Sequence, residues 1–210
     1  STVGAVAVSG GHAFVLVVTA SLVVLDVRDP GALRTVGVLD LEAAYTAGMV
    51  VDGDRLFVAT VTPDLASSVR ILDVHDPADP REVGAVEVPS VVAMDCADGY
   101  VFLVGYGSLH VVDVRDAGAP RLVKTYAVPG AFAIFGVALN GGYAYLADIL
   151  GGLHVVDVRD AAEPRAVGQL EDVRGVMSVD AAGGFAYVTG MPGLVVIDVS
   201  APETPRQRGT

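Results

Sequence analysis

An all-β fold of five four-stranded antiparallel blades, the pattern of a five-bladed β-propeller, is predicted for this 210-residue chain by three observations. An apolar phrase ending in Asp recurs five times, a Pro-bearing turn follows each copy, and each copy breaks into four short strand-like runs. The fixed points are Asp26, Asp73, Asp113, Asp157 and Asp198, spaced by 47, 40, 44 and 41 residues. The turns carry Asp29-Pro30, Asp76-Pro77, Ala119-Pro120, Glu163-Pro164 and Thr204-Pro205. Proline removes a backbone donor and fixes φ, so these positions punctuate the chain and do not continue a helix.

The fourth repeat shows the elements in order. Strand A is Gly136-Val137-Ala138-Leu139, and the turn Asn140-Gly141-Gly142 leads to strand B, Tyr143-Ala144-Tyr145-Leu146-Ala147. Strand C is Leu153-His154-Val155-Val156-Asp157-Val158, and strand D, Arg165-Ala166-Val167-Gly168, follows the Pro turn. Strands A and C are almost continuously apolar, which requires both of their faces to be covered by neighbouring blades. Seven residues before the start of each strand B stand Ala5, Gly48, Ala93, Gly136 and Ser178, all small. Strands converging on a narrow axis demand such a column, because a bulky side chain would hold the backbones apart.

These repeats divide one expected domain into blades at about 1–42, 43–89, 90–130, 131–172 and 173–210. The last blade has a truncated outer strand, since Pro205-Arg206-Gln207-Arg208-Gly209-Thr210 matches only the opening of Pro164-Arg165-Ala166-Val167-Gly168-Gln169. With strand A first and a stub of strand D last, no strand exchange latches a ring. The expectation is a monomer whose ring of five blades closes within one chain, by side-chain packing between the end blades.

Composition narrows the partners. The chain is 52% hydrophobic and 18% charged, ample material for a large core. No apolar run reaches the roughly 20 residues of a spanning helix, so a soluble chain without membrane insertion is expected. Its first residues show no signal-peptide pattern. A net charge of -12, with Lys124 the only lysine, argues against nucleic acid, whose phosphates draw on clustered basic residues. The single cysteine, Cys96, excludes an internal disulfide and reads as a buried thiol beside Val92, Ala93 and Met94.

The five phrases are Leu22-Val23-Val24-Leu25-Asp26, Val69-Arg70-Ile71-Leu72-Asp73, Leu109-His110-Val111-Val112-Asp113, Leu153-His154-Val155-Val156-Asp157 and Leu194-Val195-Val196-Ile197-Asp198. In these the chain resembles the bacterial LVIVD-repeat β-propeller family, over nearly its whole length. The resemblance implies the fold and an exported or cell-surface location. It carries over no catalytic residue and no cofactor.

Loop lengths indicate where function sits. From each motif Asp to the strand D position held by Gly37, Gly84, Lys124, Gly168 and Gly209 the distance is always eleven residues, and the A-to-B offset is always seven. From strand B to the motif Asp it is 14, 18, 13, 14 and 13, and from strand D to the next small residue 11, 9, 12 and 10. The variable B-to-C and D-to-A loops share one rim of an up-and-down blade. Varied loops on a regular scaffold are where binding usually resides.

Residues peculiar to that rim make Tyr45, Tyr106, Phe132, Phe135, Asp148, Arg174 and Met177 the expected ligand-binding set around an apolar central pocket. The expected function is a binding or interaction propeller presenting this rim to a small molecule or a protein. The alternative is an enzyme, a lyase, isomerase or hydrolase, using Asp148 or Asp64 for acid-base chemistry with Tyr106 or Tyr45. Phe135 and Met177 also suit plain core, and lone loop aspartates suit turn formation. No cofactor and no metal site is expected, and the five motif Asp residues read as turn formers. Asp95 and Asp180 share a strand A position that is otherwise apolar, which fits backbone capping or a carboxylate pair. His110 and His154 read as partly exposed strand residues without a second metal ligand.

Overall fold

The computed structural model describes residues 3–17, 21–43, 45–62, 64 and 66–209. Every regular element among them is a strand, and no helix is long and apolar enough to cross a membrane. Sheet 1 holds β1 (Val3–Ser9), β2 (His12–Val17), β3 (Ser21–Asp26) and β4 (Arg34–Asp40). Sheet 2 holds β5 (Tyr45–Asp52), β6 (Arg55–Val61), β7 (Ser67–Asp73) and β8 (Arg81–Val88). Sheet 3 holds β9 (Ala93–Ala97), β10 (Tyr100–Gly105), β11 (Ser108–Asp113) and β12 (Arg121–Ala127), and sheet 4 β13 (Ile134–Asn140), β14 (Tyr143–Asp148), β15 (Gly152–Asp157) and β16 (Arg165–Leu170). Sheet 5 closes the series with β17 (Val176–Ala182), β18 (Phe185–Gly190), β19 (Gly193–Asp198) and the short β20 (Arg206–Gly209). Each sheet is an antiparallel meander in chain order, as the repeat requires.

The residues group into two compact units. One contains sheets 1 and 2 with the turn Asp113–Arg121; the other contains sheets 4 and 5 and the rest of sheet 3. In the first, Phe14, Leu16, Leu22 and Val24 of sheet 1 pack on Leu56, Val58 and Leu72 of sheet 2. In the second, Phe102, Val104, Leu109 and Val111 of sheet 3 meet Val137, Ala144, Leu146 and Val156 of sheet 4. Tyr145, Ala147, Leu153 and Val155 of sheet 4 then meet Val179, Ala186, Val188, Val195 and Ile197 of sheet 5. The same repeat positions make each contact, because successive side chains of a strand point to opposite faces.

Two glycine positions permit close stacking. A Cβ at Gly168 would collide with the Pro202 carbonyl of sheet 5's turn, and one at Gly37 with the Pro77 carbonyl of sheet 2's turn. The small column is equally physical: a Cβ on Gly136 would sit 3.0 Å from Ser178 Cα and 3.2 Å from the Met177 carbonyl.

His110 and His154 correct the sequence expectation of partial exposure, for both are buried. They occupy the strand C position three residues before the motif Asp. In sheet 4 that position pairs with Leu146, on the row packed against sheet 3, so His154 is covered by the preceding blade. His110 satisfies its Nδ1 with the Thr125 hydroxyl at 3.1 Å. Cys96 is half-buried on β9, less covered than expected.

The motif aspartates are turn formers. Asp26, Asp73, Asp113, Asp157 and Asp198 accept the N–H two residues ahead at 3.1, 2.9, 3.1, 3.1 and 3.0 Å. Asp29, Asp76, Asp116 and Asp160 repeat the arrangement one turn later. Arg159 adds its side chain to Asp157 and lies 5.3 Å over the Tyr143 ring.

Replacing Asp157 by Ala is expected to lower stability by roughly 0.5–2 kcal/mol, read as a lower melting temperature, while the fold is kept. The hydrogen bonds of Asp113 and Asp157 hold their carboxyls below the ordinary range, and Ser200 with Arg208 brings Asp198 to about 2. Folded values below unfolded ones mean the unfolded chain binds more protons, so this stabilisation is complete above about pH 4 and lost as pH falls toward 2. Melting curves between pH 5 and 2 should show that loss, with a shallower slope for an Asp157→Asn, Asp198→Asn variant.

Candidate functional site

In the second unit the variable loops are tied to one another by backbone hydrogen bonds. The Gly107 carbonyl accepts from Val128 N at 2.9 Å, and the Val128 carbonyl from Ala131 N at 3.1 Å. Further along, the carbonyls of Ala133, Ile149 and Gly175 accept from the N–H groups of Ile149, Gly175 and Met191 at 3.2, 2.8 and 2.9 Å. Loops of sheets 3, 4 and 5 are thereby joined at one end of their blades. The Tyr106-Gly107 turn uses positive φ at both residues, 42° and 76°, which lifts the Tyr106 ring outward from the sheet end.

Asp148 is the polar centre of this end and is fully buried. Its carboxylate accepts from Phe132 N at 2.7 Å, Ala133 N at 3.2 Å and Leu150 N at 3.1 Å, and pairs with His154 Nε2 at 3.2 Å. Burial pushes its pKa up, but the backbone donors of Phe132, Leu150, Ala133 and Gly151 outweigh that and hold it below the ordinary range. Burial keeps the His154 ring below its usual value despite the carboxylate beside it. Gly151 must lack a side chain here, since a Cβ would lie 2.6 Å from both Asp148 Oδ2 and His154 Nε2. A carboxylate with its lone pairs so engaged organises loops.

The other expected residues separate by exposure. Tyr106 (78%) and Phe132 (67%) project into solvent from the tied loops, as does Met191 (81%), which lies outside the expected set, and Met177 and Arg174 are also exposed. Phe135 is half-buried on β13. Tyr45 is exposed at the start of β5 and belongs to the first unit. Asp64 accepts the Thr62 hydroxyl, which also reaches the Ala66 carbonyl at 3.1 Å, so it closes its own turn. Sequence reasoning missed Leu150, exposed in the β14–β15 loop, although the unrepeated Ile149-Leu150 pair marks it. It also missed that His154 partners Asp148; the six-residue spacing across a hairpin was the available signal.

Asp95 caps backbone across blades, accepting from Cys96 N and from Leu139 N of sheet 4, each at 2.8 Å. Burial raises its pKa, with a smaller contribution from the charge of Asp180. Asp180 accepts from Ala181 N at 2.8 Å. Among the described residues no group of three or more His, Cys, Asp or Glu is arranged to hold a metal ion. At the opposite, short-turn end of sheets 3 and 4 a cleft of about 680 Å³ opens between Tyr100, Phe102, Tyr143 and Arg159.

Five four-stranded antiparallel sheets with this stacking place the chain in the propeller class, whose blades are a general scaffold for binding and interaction. The LVIVD repeat model matches residues 2–40, 135–172 and 174–209, and the chain belongs to that family. Solved structures are similar in fold. A chain of the Mitotic Checkpoint Complex aligns with a TM-score of 0.78 at 12% identity, over 98% of this chain and 63% of that one. The computationally designed Ika8 protein aligns with a TM-score of 0.75 at 11% identity, over 99% and 60%. A chain of a Nidogen/Laminin complex gives 0.60 at 11%, over 90% and 72%. The chain thus spans under two thirds of the first and second of these. No curated protein sequence matches it.

Asp148→Ala is expected to destabilise the chain by roughly 2–4 kcal/mol, because it removes the acceptor of three part-buried N–H groups and the partner of the buried His154 ring at once. Denaturant titration checks this, against a Tyr106→Ala control expected within about 0.5 kcal/mol of the parent.

Proposed function

We propose that the chain is a non-catalytic interaction module that presents the variable-loop end of sheets 3 to 5 to a protein partner. One observation carries the reading: Tyr106, Phe132, Leu150 and Met191 are all exposed on loops held together by backbone hydrogen bonds. Large apolar side chains on a pre-ordered surface bind without an added ordering cost, and aromatic and Met residues are enriched at such interfaces. Arg174 and Met177 extend the surface, and Phe135 supports it from β13. Tyr45 offers the same aromatic character on the first unit. Acid-base chemistry is the weaker reading, because Asp148 is ionised with its acceptor sites engaged and a general acid or base needs the reverse.

A second reading, a small-molecule site, draws on the cleft at the short-turn end, whose volume suits a compact ligand and whose walls are aromatic. The two readings are separated by a displayed peptide library selected on the parent chain. Enriched peptides should lose at least tenfold in affinity against Tyr106→Ser, Phe132→Ser, Met191→Ser and bind Tyr143→Ala unchanged. Loss confined to Tyr143→Ala would move the site to the cleft.

A further inference from the structure

The cleft at the short-turn end of sheets 3 and 4 lies wholly within the second unit, and it opens where the repeat is broken. On the outer strand of a blade one position faces the next blade's Pro turn. Glycine fills it at Gly37, Gly84 and Gly168, where a Cβ would lie 2.2, 2.0 and 2.1 Å from the carbonyls of Pro77, Ala117 and Pro202. Sheet 3 carries Lys124 at this position, at the same eleven-residue offset from its motif Asp. The matching carbonyl is that of Ala161, so the turn of sheet 4 cannot approach sheet 3 as closely as the other turns approach their blades. Tyr126 spans the two outer strands instead, its hydroxyl accepting from Ala166 N at 3.0 Å. The space left is about 680 Å³, within the range of small-molecule sites.

The lining combines two kinds of surface. Phe102, Leu139, Val158 and Ala161 are apolar, and the Tyr100 ring lies tilted against Phe102 with centroids 6.4 Å apart. Asp98 enters from the β9–β10 turn and Asp160 from the β15–β16 turn, one carboxylate from each sheet. Asp98 is a second departure from the repeat, because its turn position is held elsewhere by Gly10, Gly53, Gly141 and Gly183, all at similar positive φ. A residue found in one blade is not required by the blade. The cation of the lining, Arg159, is already engaged on Asp157 through Nε and Nη2, and Lys124 does not line the cleft. We infer that this cleft, held open by Lys124, binds a small organic cation, an amine on an aromatic body, with the body on Phe102 and Tyr100 and the ammonium toward Asp98 and Asp160. The inference rests on the reading of the cleft as a small-molecule site and is separate from the loop-end surface. A cation gains from both carboxylates and from the ring faces. An anion of the same shape would face both carboxylates and find the Arg159 fork filled.

Phenethylamine, phenylacetamide and phenylacetate give a cation, a neutral compound and an anion on one aromatic frame. Titrated into the parent chain at low ionic strength and followed by NMR shifts of the cleft residues, the amine should bind about fivefold tighter than the amide, and the acetate most weakly. Asp98→Asn, Asp160→Asn should remove that preference, and Asn suits both turns, so the fold is kept. Glu171→Gln, Asp172→Asn changes the net charge equally and should bind as the parent does, which separates the cleft from general attraction to a charge of -12. Lys124→Gly should weaken all binding by letting the Ala161 turn close. Equal binding of amine and amide overturns the inference and leaves the cleft a small-molecule site. A preference that survives the Asn pair, or is lost equally in the Glu171 and Asp172 variant, overturns it as well, as does a Lys124→Gly chain that binds like the parent. If no probe shifts the cleft residues, the inference and the small-molecule reading both fall.

Discussion

Stacking of one sheet on the next is the constraint from which the rest of the structure follows. A four-stranded sheet whose strands are apolar on both faces has no solvent side, so it is stable only between neighbours. The chain meets this with two interlocking rows per blade, an aromatic and leucine row facing forward and a valine-rich row facing back. Glycine at Gly37 and Gly168 lets the next blade's turn carbonyl approach where any side chain would hold it off. A small column at Gly136 does the same for β13 against β17.

Stacking also divides the labour between the two ends of a blade. At the short-turn end the backbone must reverse within a few residues, and paired Asp side chains satisfy the N–H groups that the reversal leaves unpaired. The pair serves geometry in the first four repeats, and Asp198 does so alone in the fifth. At the other end the loops are longer and unequal, and those of sheets 3 to 5 find backbone partners in the next loop along. At Asp148 a side chain takes over that task, binding N–H groups from two loops at once. Side chains on those loops are consequently free of structural duty, which is why Tyr106, Phe132 and Met191 can face solvent.

The strand pattern was legible because apolar alternation, Pro turns and small residues are local signals that five copies amplify. The turn role of the motif aspartates was legible for the same reason, a residue repeated in every blade being explained by the blade. What could not be read were contacts whose partners have no letter in the sequence. Asp148 bonds to backbone donors sixteen residues upstream, so nothing in its neighbourhood distinguishes it from a turn former or a base. His154 reads as exposed because polar residues in strands usually mark a solvent face. In a strand covered on both sides that inference has no face to refer to, and the ring is buried with its nitrogen on Asp148.

Exposure along the outer strands mixes charge with apolar side chains. β8 and β12 open on Arg81, Glu82 and Arg121, and Val83, Leu122 and Val123 stand exposed beside them on the same strands. Charge on an exposed edge is the usual protection against unwanted strand pairing, and a few charged residues at the start of each strand supply it without excluding apolar neighbours. Surface valines and leucines of this kind need no partner to explain them, because much of the exposed surface of any folded chain is apolar. What distinguishes the loop end of sheets 3 to 5 is that its exposed residues are large and sit on loops already tied to one another.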